Sequence, residues 1–357
     1  MSATGAGFVW DPRLASHVYR EDHPLKPWRL RGVHDTLERL GAFARPGARL
    51  LAPRDATRAE ILRVHDPAYV DAIAQASSDP DLDYSEWGLS AWGDTPPFQG
   101  MHEASLLTTG ASLVAMEDVI AGRARVAFNG AGGLHHAMRR RASGFCIYND
   151  PAIVCGLLAD RGMKVAYVDI DAHHGDGVQA AFYDTDQVLT ISLHETGRTL
   201  FPGTGFAAER GTGKGAGYSI NVALPPYTDD SAYTRAFDAV VPPLVGRFRP
   251  DVLVTQQGID PHFADPLTHL RLSTHAREHV VRWFASTPYP WVAMGGGGYD
   301  LDAVRRTWSM EYLLMLGAPV PPELHDQDPP VLSGGARTTV DGATDEAVRD
   351  ALAAAFR

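Results

Sequence analysis

The sequence predicts an α/β protein with a doubly wound, mainly parallel sheet and helices on both of its faces. Apolar segments of strand length end in glycine-rich loops that carry Asp, His or Tyr, at residues 165–177, 188–193, 251–267 and 291–300. Helical patterns separate them, for example at 229–248 and 274–284. Such alternation, with polar groups after the strands, is typical of parallel sheets whose sites lie at the carboxyl ends of the strands.

The first third of the chain carries two helix signals and one long loop. Apolar residues recur at helical spacing over residues 30–40, and Gly41 is expected to end that helix. Thr57 and Glu60 form a capping-box pattern that predicts the start of a second, short helix. Residues 85–105 contain Trp, Gly and Pro without periodicity, which predicts an ordered loop, and loops of this length are often functional.

Similar signals predict the remaining elements. A helix is expected to run to about Ala121, a short strand to occupy 125–129, and another helix to begin at Asp150, which precedes a proline. The segment 319–342 is rich in Pro and Gly and is expected to be irregular, with a short amphipathic helix from Thr344. No linker-like stretch precedes this tail. The whole chain, 1–357, is therefore expected to form a single domain with its core at about 8–318 and a tail at 319–357.

The composition of the 357 residues predicts a soluble, cytoplasmic protein. Hydrophobic residues make up 45% of the chain, enough for a sizeable core, but no run of eighteen apolar residues and no signal-peptide pattern occurs. The net charge of −11 argues against a nucleic-acid partner, because phosphate neutralisation needs clustered Lys and Arg. Cys146 and Cys155 match neither a CxxC pair nor a zinc ribbon, so any metal would be held by His and carboxylates.

The central segment at 165–177, VAYVDIDAHHGDG, is typical of a buried strand that ends in ionisable groups. Because side chains alternate between the faces of an extended chain, Asp169, Asp171 and His173 share one face. A carboxylate and an imidazole two residues apart suit a borderline divalent cation and leave coordination positions open. Asp260, at the end of another strand, adds a third ligand. Such an open site lowers the pKa of bound water and polarises a carbonyl.

A second set of residues could move protons or stabilise developing charge. They are His135, His136, Asp169, Asp176 and Tyr299. The paired histidines would act as acid and base, the two carboxylates would orient them, and the tyrosine would donate a hydrogen bond to an oxyanion. Together with the metal ligands, these groups predict metal-assisted amide hydrolysis.

Several motifs together carry a family resemblance. In chain order they are HPLKPWRLR, GGLHHAM, SGFCIYNDPA, YVDIDAHHGDGVQ, TISLHE, FPGTG, TQQGIDPHFADPL and GGGGYD. The chain resembles the zinc-dependent histone deacetylase family over about residues 8–316, and its TQQGID to DPLTHL segment is most similar to the bacterial acetoin-utilisation branch. The resemblance implies the arginase-deacetylase fold and the hydrolysis of N-acetyl-lysine to lysine and acetate in acetylated proteins or peptides.

The resemblance also implies individual roles. One catalytic Zn²⁺ per chain, with Fe²⁺ as the alternative, would be held by Asp171, His173 and Asp260. The implied catalytic residues are His136 as general base, His135 as its partner, Tyr299 as oxyanion donor, and Asp169 and Asp176 as supporting carboxylates. The implied substrate-binding residues are Asp94 at the rim and Gly144, Phe145, Phe201 and Gly297, the phenylalanines and Gly144 lining a narrow tunnel. Arg29 matches the arginine of an internal cavity through which acetate leaves.

Two structural K⁺ sites are implied as well. The first set of residues is Asp169, Asp171, His173, Ser192 and Leu193, and the second is Phe182, Thr185, Val188 and Tyr218. Leu200 departs from the family pattern, in which a second aromatic often precedes FPGTG, so the tunnel mouth is expected to be less aromatic here.

Three alternative functions follow from the same residues. A ureohydrolase would use a DAHxD pattern whose second Asp bridges two manganese ions, but Gly175 stands at that position, which favours one metal. An acetylpolyamine deacetylase would use the same chemistry on a smaller substrate, and the loop around Asp94 does not distinguish the two. A catalytically inactive acetyl-lysine binding module is disfavoured because the set of catalytic residues is complete.

Overall fold

The computed structural model describes residues 5–356 and contains one parallel sheet of eight strands. In chain order the strands are β1 (Ala6–Val9), β2 (Ala48–Leu51), β3 (Val126–Asn129), β4 (Val165–Asp169), β5 (Val188–Glu195), β6 (Ser219–Leu224), β7 (Val252–Gln256) and β8 (Trp291–Met294). Their order across the sheet is β2-β1-β3-β8-β7-β4-β5-β6, and every neighbouring pair is parallel. The predicted α/β fold class is confirmed.

Ten α-helices accompany the strands within the described residues. They are α1 (Arg29–Arg39), α2 (Arg58–Ile61), α3 (Pro67–Ser78), α4 (Met101–Ile120), α5 (Asp150–Ala159), α6 (Asp176–Ala181), α7 (Asp230–Phe248), α8 (Thr274–Ser286), α9 (Leu301–Met315) and α10 (Gly334–Ala354). None of them is long and apolar enough to cross a membrane. The buried apolar side chains of strands and helices form one connected core.

The register of the central strands brings two strand ends together. Asp169, the last residue of β4, lies opposite Gln256 at the end of β7 and opposite Ser192 in β5. The central strands β4 and β7 are buried at every position, as expected for parallel strands covered on both faces. The residues that follow β4 and β7 therefore emerge side by side at the same edge of the sheet.

Local signals explain where several helices begin and end. Gly41, just beyond α1, has a φ of 66°, a conformation that glycine adopts without a steric penalty. The predicted capping box is present, because Thr57 accepts a hydrogen bond from the Glu60 amide while the Glu60 carboxylate accepts one from the Thr57 amide. At α5 the capping side chain belongs to Asn149, one residue before the predicted start at Asp150.

The predicted organisation of the tail is wrong in one respect. The C-terminal helix does not begin at Thr344 but at Gly334, and α10 is 21 residues long. Gly334, Gly335 and Gly342 lower the intrinsic helix propensity, which is why the sequence pattern predicts irregular chain. Packing of α10 on β6 and α7, with Val340 buried, stabilises the helix in spite of this propensity. Likewise, the loop predicted to reach residue 105 ends at Gly100, and α4 begins at Met101.

Candidate active site

Three buried side chains converge beyond the ends of β4 and β7. Nδ1 of His173 lies 3.1 Å from Oδ1 of Asp171 and 3.0 Å from Oδ2 of Asp260. One ligand atom from each residue lies within 4.8 Å of the others. The structure thus brings together the three residues predicted to bind the metal, although they come from two strands separated by about ninety residues of chain.

The outer oxygens of the two carboxylates are held by the surrounding protein. Oδ2 of Asp171 accepts hydrogen bonds from the Gln256 side chain at 2.6 Å and from the Gly297 amide at 2.9 Å. Oδ1 of Asp260 accepts one from the Ala172 amide at 2.8 Å. The remaining oxygen of each carboxylate is thereby directed toward His173. Sequence reasoning missed Gln256, whose only signal is a polar residue at the end of an otherwise apolar strand.

The electrostatics of this group fit a bound divalent cation. Burial opposes the charged form of His173, but Asp260 and Asp171 outweigh it and raise the pKa of His173. Burial and the neighbouring Asp171 charge raise the pKa of Asp260. Two carboxylates buried around one imidazole need positive charge between them. A divalent ion held by one nitrogen and carboxylate oxygens supplies that charge, and the donors suit zinc or another borderline metal.

Adjacent to these ligands lie two histidines in direct contact. Nε2 of His135 and Nε2 of His136 are 3.0 Å apart. Nδ1 of His135 lies 2.8 Å from Oδ2 of Asp169, which also accepts a hydrogen bond from the Tyr167 hydroxyl. Nδ1 of His136 lies 2.7 Å from Oδ1 of Asp176. Each histidine is thus oriented by its own carboxylate, as the sequence predicts.

The two histidines have opposite pKa shifts. Burial disfavours the charged form of His135, but the charges of Asp169 and Asp171 outweigh it and raise the pKa of His135 to about 9. Burial and the neighbouring charge of His135 lower the pKa of His136. His136 is therefore neutral near pH 7, with its Nδ1 proton directed to Asp176 and a lone pair on Nε2. That lone pair faces Nε2 of His135 at 3.0 Å, and a neutral imidazole with a lone pair is the form that a general base requires.

A buried histidine supports the loop that carries this pair. The side-chain amide of Asn149 donates one hydrogen bond to the carbonyl of His135 and one to that of Ala137, each at 3.0 Å. The backbone amide of Asn149 donates a hydrogen bond to Nε2 of His65, and Nδ1 of His65 contacts the Met138 carbonyl at 3.0 Å. His65 and Asn149 were not predicted as functional residues, and no spacing signal in the sequence connects them to the site.

Tyr299 lines a small cavity together with two of the candidate metal ligands and the paired histidines. The cavity is small, about 20 Å³, and includes His136, Asp171, His173, Gly297 and Tyr299 in its lining. The Tyr299 amide donates a hydrogen bond of 2.8 Å to Oδ2 of Asp265, and the Tyr299 ring packs edge-on against Phe145 at 5.7 Å. These contacts fix both the backbone and the ring of Tyr299 beside the candidate ligands.

A wider mouth leads from the surface to these residues. It has a volume of about 400 Å³ and is lined by four of the predicted substrate-binding residues, Asp94, Gly144, Phe145 and Phe201. Phe201 packs edge-on against His136 at 5.0 Å and is 41% exposed. Leu200 lines the mouth beside it. The fifth predicted residue, Gly297, lies deeper, in the small inner cavity.

Asp94 lies at the exposed rim of the mouth. Its carboxylate makes no hydrogen bond or ion pair with any residue between 5 and 356. Its backbone is held in place, because Nε2 of His23 contacts the Asp94 carbonyl at 3.1 Å. The next residue, Thr95, accepts a hydrogen bond from the Phe145 amide. The carboxylate is therefore positioned at the mouth while its oxygens remain available to a ligand.

Arg29 lies in a separate internal cavity of about 90 Å³. Its guanidinium donates hydrogen bonds of 2.7 Å to the carbonyls of Gly298 and Gly296. Leu25, Leu134 and Phe145 line both this cavity and the inner cavity of the site. The cavity beside Arg29 therefore adjoins the inner cavity of the site, and its role as an acetate channel remains a prediction.

Some of the residues expected to bind potassium are neighbours in space. Asp169 and Ser192 pair across β4 and β5, with Leu193 next in the strand. In the second set, the Thr185 amide bonds the Phe182 carbonyl at 3.4 Å, and the Tyr218 carbonyl accepts from Thr190 in β5. Potassium binding at either place remains a prediction.

Comparisons with known proteins agree with this geometry. The histone deacetylase domain family matches residues 23–315, and the chain belongs to this family of metal-dependent deacetylases. It is similar to the acetoin utilization protein AcuC of Bacillus subtilis (strain 168), with 40% identity over 329 residues, 88% of this chain and 84% of that protein. AcuC of Staphylococcus xylosus is 36% identical over 324 residues, 88% of this chain and 83% of that protein.

Solved structures show the same fold. An HDAC homologue from Aquifex aeolicus has a TM-score of 0.85 at 31% identity, covering 97% of this chain and 100% of the other. An HDAC homologue in complex with SAHA has a TM-score of 0.85 at 30% identity, again covering 97% and 100%. The predicted arginase-deacetylase fold and the family assignment are therefore confirmed, and general deacetylase chemistry follows from the family.

Proposed function

We propose that this protein is a zinc-dependent lysine deacetylase that hydrolyses N-acetyl-lysine side chains of proteins or peptides. The observation that carries the proposal is the route from the surface to the three candidate ligands. The route narrows from a mouth of about 400 Å³ to an inner cavity of about 20 Å³. A slender acylated side chain can enter such a passage while the rest of its polypeptide stays outside.

In this proposal the metal ion is held by Asp171, His173 and Asp260. A structural K⁺ would lie beside Asp169, Asp171 and His173. A zinc ion bound there polarises the acetyl carbonyl and acidifies water. The Nδ1–Oδ1 and Nδ1–Oδ2 distances of 3.1 and 3.0 Å support this assignment, because the donor atoms already converge on one place. Fe²⁺ is the alternative ion for the same donor set.

The remaining groups have separate tasks in the proposed reaction. His136 takes a proton from the attacking water through Nε2, and Asp176 stabilises the imidazolium that forms. His135, beside it, later supplies a proton to the leaving lysine nitrogen. The Tyr299 hydroxyl donates a hydrogen bond to the carbonyl oxygen as negative charge develops on it.

Asp94 supports a polypeptide substrate over a small amine. An exposed carboxylate without a partner can accept hydrogen bonds from the backbone amides that flank an acetyl-lysine. The alternative is an acetylated polyamine, whose second ammonium group could pair with the same carboxylate. Arg20 also lines the mouth, and its positive charge disfavours a polycationic ligand there.

The experiment that tests this proposal is a substrate screen that measures acetate release. Acetyl-lysine peptides, acetylated polyamines and a minimal N-acetyl amine are compared at equal concentration, with the zinc-loaded enzyme. We expect the highest kcat/KM for peptides. A preference for polyamines would replace the proposed substrate, and urea release from guanidino compounds would replace the reaction class.

A further inference from the structure

A second group of metal-ligating side chains lies outside the site described above. It consists of His275 and Glu278 on α8 and His325, which follows a 3-10 turn at residues 322–324. One ligand atom from each of the three lies within 4.8 Å of the others. We propose that these residues form a second binding site for a borderline divalent cation such as Zn²⁺.

The donor set is appropriate for such an ion. Two imidazoles and one carboxylate are ligands that Zn²⁺ and neighbouring transition metals prefer, and three protein ligands leave room for water. Glu278 supplies the carboxylate of this donor set, and its side chain is half-buried between Arg282 and His325. Its Oε1 accepts both Arg282 bonds, while Oε2 lies 2.8 Å from Nε2 of His325.

The two imidazole rings have a separation that suits a shared ion. Their centroids are 5.4 Å apart and their planes differ by 7°. Two rings bound to one tetrahedral zinc at Zn–N distances of about 2.1 Å have centroids roughly 5 Å apart. Because a metal ion lies in the plane of each imidazole that binds it, one of these two nearly parallel rings would have to rotate for both to coordinate the ion.

Asp326 holds His325 and His275 in this arrangement. Its Oδ2 accepts hydrogen bonds from His262 and from the Thr274 amide, and its own amide donates to the Thr274 hydroxyl. The Asp326 carbonyl lies 3.0 Å from Nε2 of His275. A histidine that donates one ring N–H to a carbonyl keeps a lone pair on its other nitrogen, as metal-ligating histidines commonly do. The backbone beside His325 and the His275 ring are therefore already positioned.

The site differs from another group of similar residues on the surface. His34, Asp35 and Glu38 also place ligand atoms within 4.8 Å of one another, but all three belong to one helix. In contrast, the group at α8 joins two segments separated by about fifty residues; His275 is exposed, but the side chains of His325 and Glu278 are only 19% and 20% exposed. An ion there would tie the start of the tail to α8, so it would stabilise the fold without taking part in catalysis.

Zinc binding to the purified holoenzyme tests this inference. The enzyme, its His275→Ala/His325→Ala variant and a His34→Ala control are dialysed against Zn²⁺, then analysed for metal per chain, thermal midpoint and deacetylase activity. We expect the wild type and the His34→Ala control to bind one more zinc per chain than the double variant. Zinc should also raise the thermal midpoint of these two proteins but not that of the double variant. Ca²⁺ and Mg²⁺ should not substitute.

Activity establishes whether the double variant is folded, because neither His275 nor His325 lines the inner cavity or the mouth of the candidate active site. If that variant does not fold, Glu278→Gln replaces it, since glutamine keeps an acceptor for His325 but removes the anionic ligand. At least a tenfold weaker affinity for the additional zinc is then expected. Equal zinc content and equal midpoint shifts in wild type and variants would overturn the proposal and leave the group as an ion pair with a neighbouring histidine.

Discussion

The Nε2 atoms of His135 and His136 lie 3.0 Å apart in a buried pair whose members have opposite pKa shifts. This contact makes the two imidazoles chemically different although they are adjacent in sequence. A charged His135 keeps its neighbour neutral, and Asp176 fixes the proton of that neighbour on Nδ1. The pair therefore combines a proton acceptor and a proton donor within one loop.

If His136 is the base, His136→Ala should reduce kcat by about a hundredfold or more, the usual scale for general acid-base catalysis. Zinc content should change little, because His136 is not among the three convergent ligands. Steady-state kinetics with elemental analysis check both expectations. His279→Ala, which removes an exposed imidazole from α8, serves as the control. Near-normal turnover of His136→Ala would assign the base to another residue.

Removal of a single oxygen tests the role of Tyr299. Tyr299→Phe should raise the activation barrier by about 2.7 to 4 kcal/mol, the effect of removing one oxyanion donor. The loss should fall on kcat, because the hydroxyl interacts most strongly when charge develops on the carbonyl oxygen. Metal content and inhibitor binding report the integrity of the site. A change confined to KM would contradict the proposed role.

Asp94→Ala distinguishes peptide from small-amine substrates. Charge-assisted hydrogen bonds contribute about 1.5 to 3 kcal/mol each, so kcat/KM for acetyl-lysine peptides should fall by roughly tenfold or more. A minimal N-acetyl monoamine has no flanking amides and should be nearly unaffected. Asp345→Ala, which removes an exposed carboxylate on α10 outside the lining of the mouth, controls for the change in net charge. Equal losses on both substrates would indicate a structural role for Asp94.

Metal stoichiometry separates the deacetylase from the ureohydrolase alternative. An added Cβ at Gly175 would lie 2.4 Å from Oδ2 of Asp169, so this position has no space for a bridging carboxylate. In the His275→Ala/His325→Ala background, we expect one divalent ion per chain, lost in Asp171→Asn. Elemental analysis after gel filtration provides the measurement. Two ions per chain in that background would favour a binuclear centre.

Acid should weaken the fold through His65. Burial lowers the pKa of His65 from 6.5 to about 4, so the unfolded chain binds the proton more tightly. The free energy of unfolding is therefore unaffected by His65 above pH 6.5. As the pH decreases toward 4, protonation of His65 in the unfolded chain lowers this free energy by about 3 kcal/mol. Urea unfolding between pH 4 and 7 measures the slope.

The control for this prediction is His65→Gln, which keeps an acceptor for the Asn149 amide and a donor for the Met138 carbonyl but does not titrate. Its unfolding free energy should depend less steeply on pH. Burial also lowers the pKa of His174, to about 4. Because His174 is present in both proteins, part of the pH dependence of the unfolding free energy should remain in each. Parallel curves for the two proteins would show that protonation of His65 does not limit stability.

Sequence patterns predict the central strands and the ligands because these residues carry strong local signals. Asp171 and His173 stand directly after an apolar strand, and Asp260 repeats the arrangement. The outer strands β1 and β2 are not followed by glycine-rich loops that carry Asp, His or Tyr, so the signal that marks the central strands is missing there. The order of the strands in the sheet cannot be predicted from local patterns either, because β4 and β7 pair although more than eighty residues of chain separate them.

Supporting residues were harder to predict for a different reason. Gln256, Asn149 and His65 act through hydrogen bonds to a ligand or to a loop, and such contacts exist only once distant segments meet. The same holds for α10, whose glycines argue against a helix until packing on β6 is known. Local propensity and tertiary packing disagree at these positions, and packing decides the structure.

The geometry of the site requires a residue without a side chain at Gly297. A Cβ at this position would lie 2.0 Å from Oδ2 of Asp260 and 3.0 Å from Oδ2 of Asp171. Alanine scanning, which is designed to take atoms away, would here add one between two candidate ligands. Loss of activity in Gly297→Ala would thus report steric intrusion and not the removal of a functional group, and a scan of this enzyme should be interpreted with the sign of the volume change at each position.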